Sequence, residues 1–147
     1  MGTPFISRFP VLDREQHLTG YELQLRSVGG EGGNESVRRP DTELLLESFQ
    51  REELLRLSGG KSLLIPATPD LLARRKQLPL DPVYHILELS AEDLLAAGAQ
   101  GAVDSWRQEG GRLAVEITDP GEDPERVGRR VDFYQVDISG FSHLNDL

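Results

Sequence analysis

Three carboxylates, Glu22, Glu88 and Asp119, have the best claim to joint chemistry in this chain. Each falls in or at the end of a segment that reads as a β-strand. Clustered carboxylate oxygens are what hard cations such as magnesium or calcium take as ligands. Three acids at strand ends are more often ordinary solvated or salt-bridged groups. Arg26 follows Glu22 by four residues. In LTGYELQLR, Tyr21, Leu23 and Leu25 alternate with Glu22, Gln24 and Arg26, the period of a strand with one apolar and one polar face. Glu22 and Arg26 therefore share a face but stand about 13 Å apart. They line one wall of a polar cavity and are not a contact pair. Other chemistries find less support. His17, His85 and His143 show no ligand spacing, and no serine sits in GxSxG.

The elements that must position these groups can be read in order. Phe5–Asp13, a polar turn at Arg14–His17 and Leu18–Arg26 form a hairpin. Ser27–Pro40 (residues 27–40) contains GGEGG and reads as a flexible loop; it lacks both GxxxxGK[ST] and GxGxxG, so it is no phosphate cradle. Asp41–Leu57 reads as one helix, with Asp41 or Thr42 as N-cap and a stripe of Leu45, Leu46, Phe49, Leu54 and Leu57. Lys61–Ala67, Val83–Leu89, Arg112–Asp119 and Val131–Ile138 read as strands. Between them come a short helix at Thr68–Arg75, a helix over Ser90–Glu109 and a short helix at Pro124–Arg130. Strand–helix alternation after a hairpin predicts an α/β fold with a parallel sheet, open or barrel-like. In such folds functional groups gather at the carboxyl ends of the strands.

Composition bounds the partners. The 147 residues carry 16 basic and 25 acidic side chains, a net charge of -9, which repels a nucleic-acid polymer. There are no cysteines, so disulfides and thiolate metal sites are excluded. No apolar run approaches the ~20 residues of a membrane span. MGTPFISRFP has no secretory pattern, and the cytoplasm is the expected compartment.

The hairpin FISRFPVLDREQHLTGYELQLRS resembles the opening of EAL domains, the cyclic di-GMP phosphodiesterase family. Four further segments resemble that family in order: SGGKSLLIPATPDLL, VYHILELS, RLAVEITDPG and VDFYQVDIS. The variety most resembled is the degenerate EAL module that precedes an HDOD domain in bacterial signalling proteins. The resemblance spans about Phe5 to Ile138. It implies one degenerate EAL-like domain over residues 1–147, with a partial TIM-barrel-like fold made of an N-terminal β-hairpin followed by βα repeats. A (β/α)8 barrel takes about 250 residues, and the resemblance reaches only about the fifth strand. The expectation is an open barrel edge covered by further chain or by another chain, and self-association through it.

Carried over residue by residue, the resemblance implies a dismantled site. The motif glutamate corresponds to Glu22, its downstream arginine to Arg26 and the third-strand glutamate to Glu88. The family's asparagine falls at Pro66, its paired aspartates at Thr118 and Asp119, its lysine at Gln135, and the glutamine of its opening strand at Phe9. EAL enzymes use two divalent ions, which polarise the phosphoryl oxygen and acidify water. With Pro66, Thr118 and Gln135 in place, that clamp cannot be built in the same way. The expectation is therefore no catalytic residue, no metal ligand and no cofactor. Glu22, Arg26, Glu88 and Asp119 form a remnant ligand pocket, in which a single residual magnesium ion is conceivable but unneeded. The function expected is a catalytically inactive signalling module acting by protein–protein contact. The alternatives are a cyclic di-GMP receptor that does not hydrolyse it and, further off, an active phosphodiesterase.

Overall fold

The computed structural model describes residues 4–28, 35–37, 41–117 and 124–136. β1 (Pro4–Leu12) pairs antiparallel with β2 (Leu18–Val28), as the hairpin pattern predicts. Asp13 closes the turn. Its carboxylate accepts the His17 N–H at 2.8 Å and its carbonyl the Gln16 N–H at 3.0 Å. At the far end β2 runs further than expected. Ser27 and Val28 pair with β3 (Glu35–Val37). Part of the 27–40 segment expected as a flexible loop is thus sheet, because pairing satisfies backbone groups that the end of β2 would otherwise present. Residues 29–34 and 38–40 lie outside the described residues.

From β2 the sheet continues in parallel through β4 (Ser62–Pro66), β5 (His85–Ser90), β6 (Arg112–Ile117) and β7 (Phe133–Val136). The order is β1-β2-β4-β5-β6-β7, with β3 beside β2. This mixed sheet curls into a half-barrel flanked by helices, the partial TIM-barrel-like α/β architecture expected. Gly20 makes the β2–β4 approach feasible, since a Cβ there would lie 2.6 Å from the Ser62 carbonyl oxygen. Strand alternation sorts the layers. Leu63, Ile65, Leu87, Leu89, Leu113 and Val115 belong to the helix-covered core, together with Phe49 and Trp106. Their neighbours Leu64, Pro66, Glu88, Ala114 and Glu116 fall on the other, concave face.

Both long helices predicted from the sequence are broken, and for one reason. The first is α1 (Thr42–Ser48) and α2 (Arg51–Ser58), interrupted at Phe49 and Gln50. Leu45 and Leu54 are both fully buried, but nine residues along a continuous helix would place them about 180° apart. The break rotates Leu54 back to the core. The second is α4 (Ala91–Leu95), a 3-10 turn at Ala97–Ala99 and α5 (Gln100–Gln108). Leu94 and Val103 are again nine apart and again both buried. The Gln100 amide donates to the Leu94 carbonyl at 2.8 Å and to the Ala96 carbonyl at 3.3 Å, satisfying oxygens at the break.

The Asp41 cap follows expectation, and two further side-chain caps join it. Asp41 accepts the Leu44 N–H, Thr68 the Leu71 N–H ahead of α3 (Pro69–Ala73), and Ser90 the Asp93 N–H. The strand expected from Val83 begins only at His85, since Val83 and Tyr84 lie in an exposed turn after Pro82. The short helix expected over Pro124–Arg130 is two 3-10 turns, Pro124–Arg126 and Gly128–Arg130. Buried Arg75 ties α3 to α5. It donates to the Leu72 carbonyl at 3.2 Å and to Ser105 Oγ at 2.7 Å, and pairs with Glu109. No helix among the described residues is long and apolar enough to cross a membrane.

Candidate functional site

The polar residues of the concave face gather toward the carboxyl ends of the parallel strands. Glu22 lies beside Leu64 of β4, and Glu88 lies between Pro66 of β4 and Ala114 of β6. Glu116, two residues beyond Ala114, pairs with Gln135 of β7. Curling brings the two sides of the half-barrel together. Gln135 Nε2 donates to Glu22 Oε1 at 3.0 Å, although the residues are 113 apart in sequence. Gln24 Nε2 donates to the same oxygen at 3.1 Å. One carboxylate oxygen thus takes two neutral amide donors.

Glu88 behaves differently. Burial, then the nearby charges of Glu22 and Glu116, push its carboxyl up from 4.5 to about 8. At neutral pH it is mainly a neutral acid. Its Oε2 and the Gln135 Oε1 are buried without a hydrogen-bond partner. Three acids on one face in a protein of net charge -9 leave loss of one charge as the cheapest accommodation.

The residues predicted for the remnant pocket divide. Glu22 and Glu88 are brought together, closely enough for the Glu22 charge to act on Glu88. Arg26 stands further along β2, its guanidinium 5.7 Å from the centre of the Phe9 ring. Phe9 is the register partner of Glu22 on β1, so an aromatic ring fills the hairpin side of the mouth. Asp119 and Thr118 lie outside the described residues. Glu116 was not among the residues singled out from the sequence. Its signal was strand alternation, since Arg112, Ala114 and Glu116 share the face on which the apolar Leu113, Val115 and Ile117 do not lie.

The described residues of this mouth do not by themselves assemble a two-ion centre. Glu22 Oε1 is held by amides, and Pro66 offers no side-chain ligand. Among the described residues no group of three histidines and carboxylates is arranged to hold a cation.

The half-barrel with its hairpin edge defines the class of fold, and solved structures name the type. No protein-family model and no curated protein matches the chain. Klebsiella pneumoniae BlrP1, solved as a calcium and cyclic di-GMP complex, is 18% identical with a TM-score of 0.65; the match covers 92% of this chain and 40% of that one. The Bacillus subtilis YkuI protein, with an EAL domain, in complex with cyclic di-GMP and calcium, is 14% identical with a TM-score of 0.63; the match covers 96% of this chain and 42% of that one. A Vibrio cholerae LapD S helix-GGDEF-EAL structure is 10% identical with a TM-score of 0.58, covering 97% of this chain and 41% of that one. The chain thus spans less than half the length of these structures, and its fold is of the EAL type.

Proposed function

We propose that this protein is an EAL-type signalling module of the cytoplasm that does not hydrolyse cyclic di-GMP and acts by protein contact, including contact with a second copy through the β7 side of its half-barrel. The observation that carries this reading is the Gln135 amide on Glu22 Oε1 at 3.0 Å. In the resemblance, position 135 belongs to a lysine that helps activate water. An amide there supplies no charge, and it occupies an oxygen that a bridging metal would need. The exposed aromatic side chains of β7, Phe133 and Tyr134, give such a contact apolar surface to bury.

Light scattering across a concentration series tests the contact directly. The expected result is a mass that rises toward a dimer and falls back in a Phe133→Lys variant. A monomer at every concentration overturns the self-association. A second reading, a receptor that binds cyclic di-GMP without cleaving it, is favoured by Arg26 with Phe9 beside Glu22. An arginine can hold a phosphate bidentately and an aromatic ring can stack on a base. Calorimetry with cyclic di-GMP, with and without magnesium, decides between them. Saturable heat lost in Arg26→Ala supports the receptor, and no heat at high micromolar ligand removes it.

A further inference from the structure

The half-barrel carries a second concavity at its opposite end, where the parallel strands begin. It has a volume of about 670 Å³ and lies between α2 and the segment leading into β5. Its lining includes Arg51, Leu55, Lys61, Pro82, Tyr84 and His85. This volume is within the range of small-molecule sites, roughly 300–1,000 Å³. His85 and Glu88 are three residues apart on β5, about 10 Å along the strand, so the groove is separate from the acidic mouth.

Both walls are fixed before any ligand arrives. On one, Asp81 organises the turn. Its carboxylate accepts the Val83 N–H at 2.9 Å, and its carbonyl accepts the N–H groups of Tyr84 at 3.1 Å and His85 at 2.8 Å. On the other, Ser58 holds the end of α2. Its hydroxyl donates to the Leu55 carbonyl at 2.9 Å and accepts the Gly60 N–H at 3.2 Å, and its carbonyl accepts the Lys61 N–H at 3.0 Å. Walls ordered in this way reduce the entropy that binding must overcome.

We propose that this groove binds a small amphiphilic anion, a carboxylate carried on an aromatic or branched apolar body. Among the described residues, the Arg51 and Lys61 side chains have no hydrogen-bond or ion-pair partner. Two such cations in one groove stand out in a chain of net charge -9. The acid in the lining, Asp81, is already committed to the Val83 N–H. His85 supplies a neutral donor. Its Nδ1 accepts the Asp81 N–H at 2.8 Å, so the ring proton is on Nε2, and burial keeps the imidazole below its ordinary pKa. The apolar body has Leu55, Pro82 and Tyr84 to cover it, of which Leu55 and Tyr84 are exposed without a ligand.

The test uses the full chain and three probes of one shape: 1-naphthoate, 1-naphthamide and 1-naphthylmethylammonium. Binding is followed by calorimetry and by amide chemical shifts. The expected result is saturable 1:1 binding of the naphthoate, with shifts at Tyr84 and His85. The amide should bind about tenfold more weakly and the ammonium probe not at all. Lys61→Gln with Arg51→Gln, both exposed positions, should cost the naphthoate about tenfold or more, whereas Arg126→Gln, which removes one positive charge elsewhere, should not change it. Tyr84→Ala should weaken naphthoate and naphthamide together. Equal binding of all three probes, shifts centred elsewhere, or no naphthoate binding at millimolar concentration overturns the proposal.

Discussion

The two ends of the half-barrel invert what their residue types suggest. The carboxyl-end mouth is rich in groups that look catalytic, Glu22, Glu88 and Glu116, yet its chemistry is turned inward. Amides of Gln24 and Gln135 occupy Glu22, and Glu88 holds a proton to about pH 8. The amino-end groove carries no catalytic motif. Its cations Arg51 and Lys61 have no partner among the described residues, and its walls are pinned by Asp81 and Ser58. Reactivity depends less on which side chains are present than on whether something already satisfies them.

The largest expected effect breaks both regions at once. Gly20 lies on β2, the strand that carries Glu22, opposite Ser62 at the start of β4, which follows Lys61. A Gly20→Val substitution must push the strands apart and should cost roughly 2–4 kcal/mol in denaturant unfolding. A cost within experimental error would show that the two regions do not depend on this contact.

Next comes a pH test that acts on the mouth alone. The folded protein keeps the Glu88 proton to about pH 8, while the unfolded chain releases it near 4.5. Folded protein therefore binds more protons between these values, and stability falls as pH rises from 4.5 to about 8, then stays low. Glu88→Gln removes the charge that would have to be buried. It should stabilise the protein by roughly 2–4 kcal/mol at pH 9 and have little effect at pH 4. Equal effects at both pH values would contradict the buried neutral acid.

A third substitution restores a cation to the mouth. Gln135→Lys should draw the Glu88 carboxyl at least about one unit back toward its ordinary value, read by carbon NMR titration. An unchanged titration would mean that position 135 does not face the acids. The smallest stability effect belongs to the other end. Lys61→Gln should move the unfolding free energy by no more than about 0.5 kcal/mol, since Lys61 has no partner to lose among the described residues. A larger loss would make the groove a structural feature.

Much of this was legible in the residues. Alternation in LTGYELQLR placed Leu23 and Leu25 in the core and Glu22 on the opposite face, and the cap at Asp41 marked a helix start. The helix breaks were less visible, because periodicity was read as continuous where Leu45 to Leu54 and Leu94 to Val103 span nine residues. That spacing was the available clue. The Gln135–Glu22 bond could not be read locally, since only closure of the sheet brings residues 113 apart together. Glu116 carries only the weak signal of alternation in RLAVEI, which puts it on the face of Arg112 and Ala114.

The central proposal, that this EAL-type module does not hydrolyse cyclic di-GMP, is tested most directly by incubating the full chain with cyclic di-GMP and magnesium or manganese and following linear pGpG by chromatography. The account predicts no product above a protein-free control, with or without metal. Metal-dependent pGpG that disappears in Glu22→Gln would contradict it.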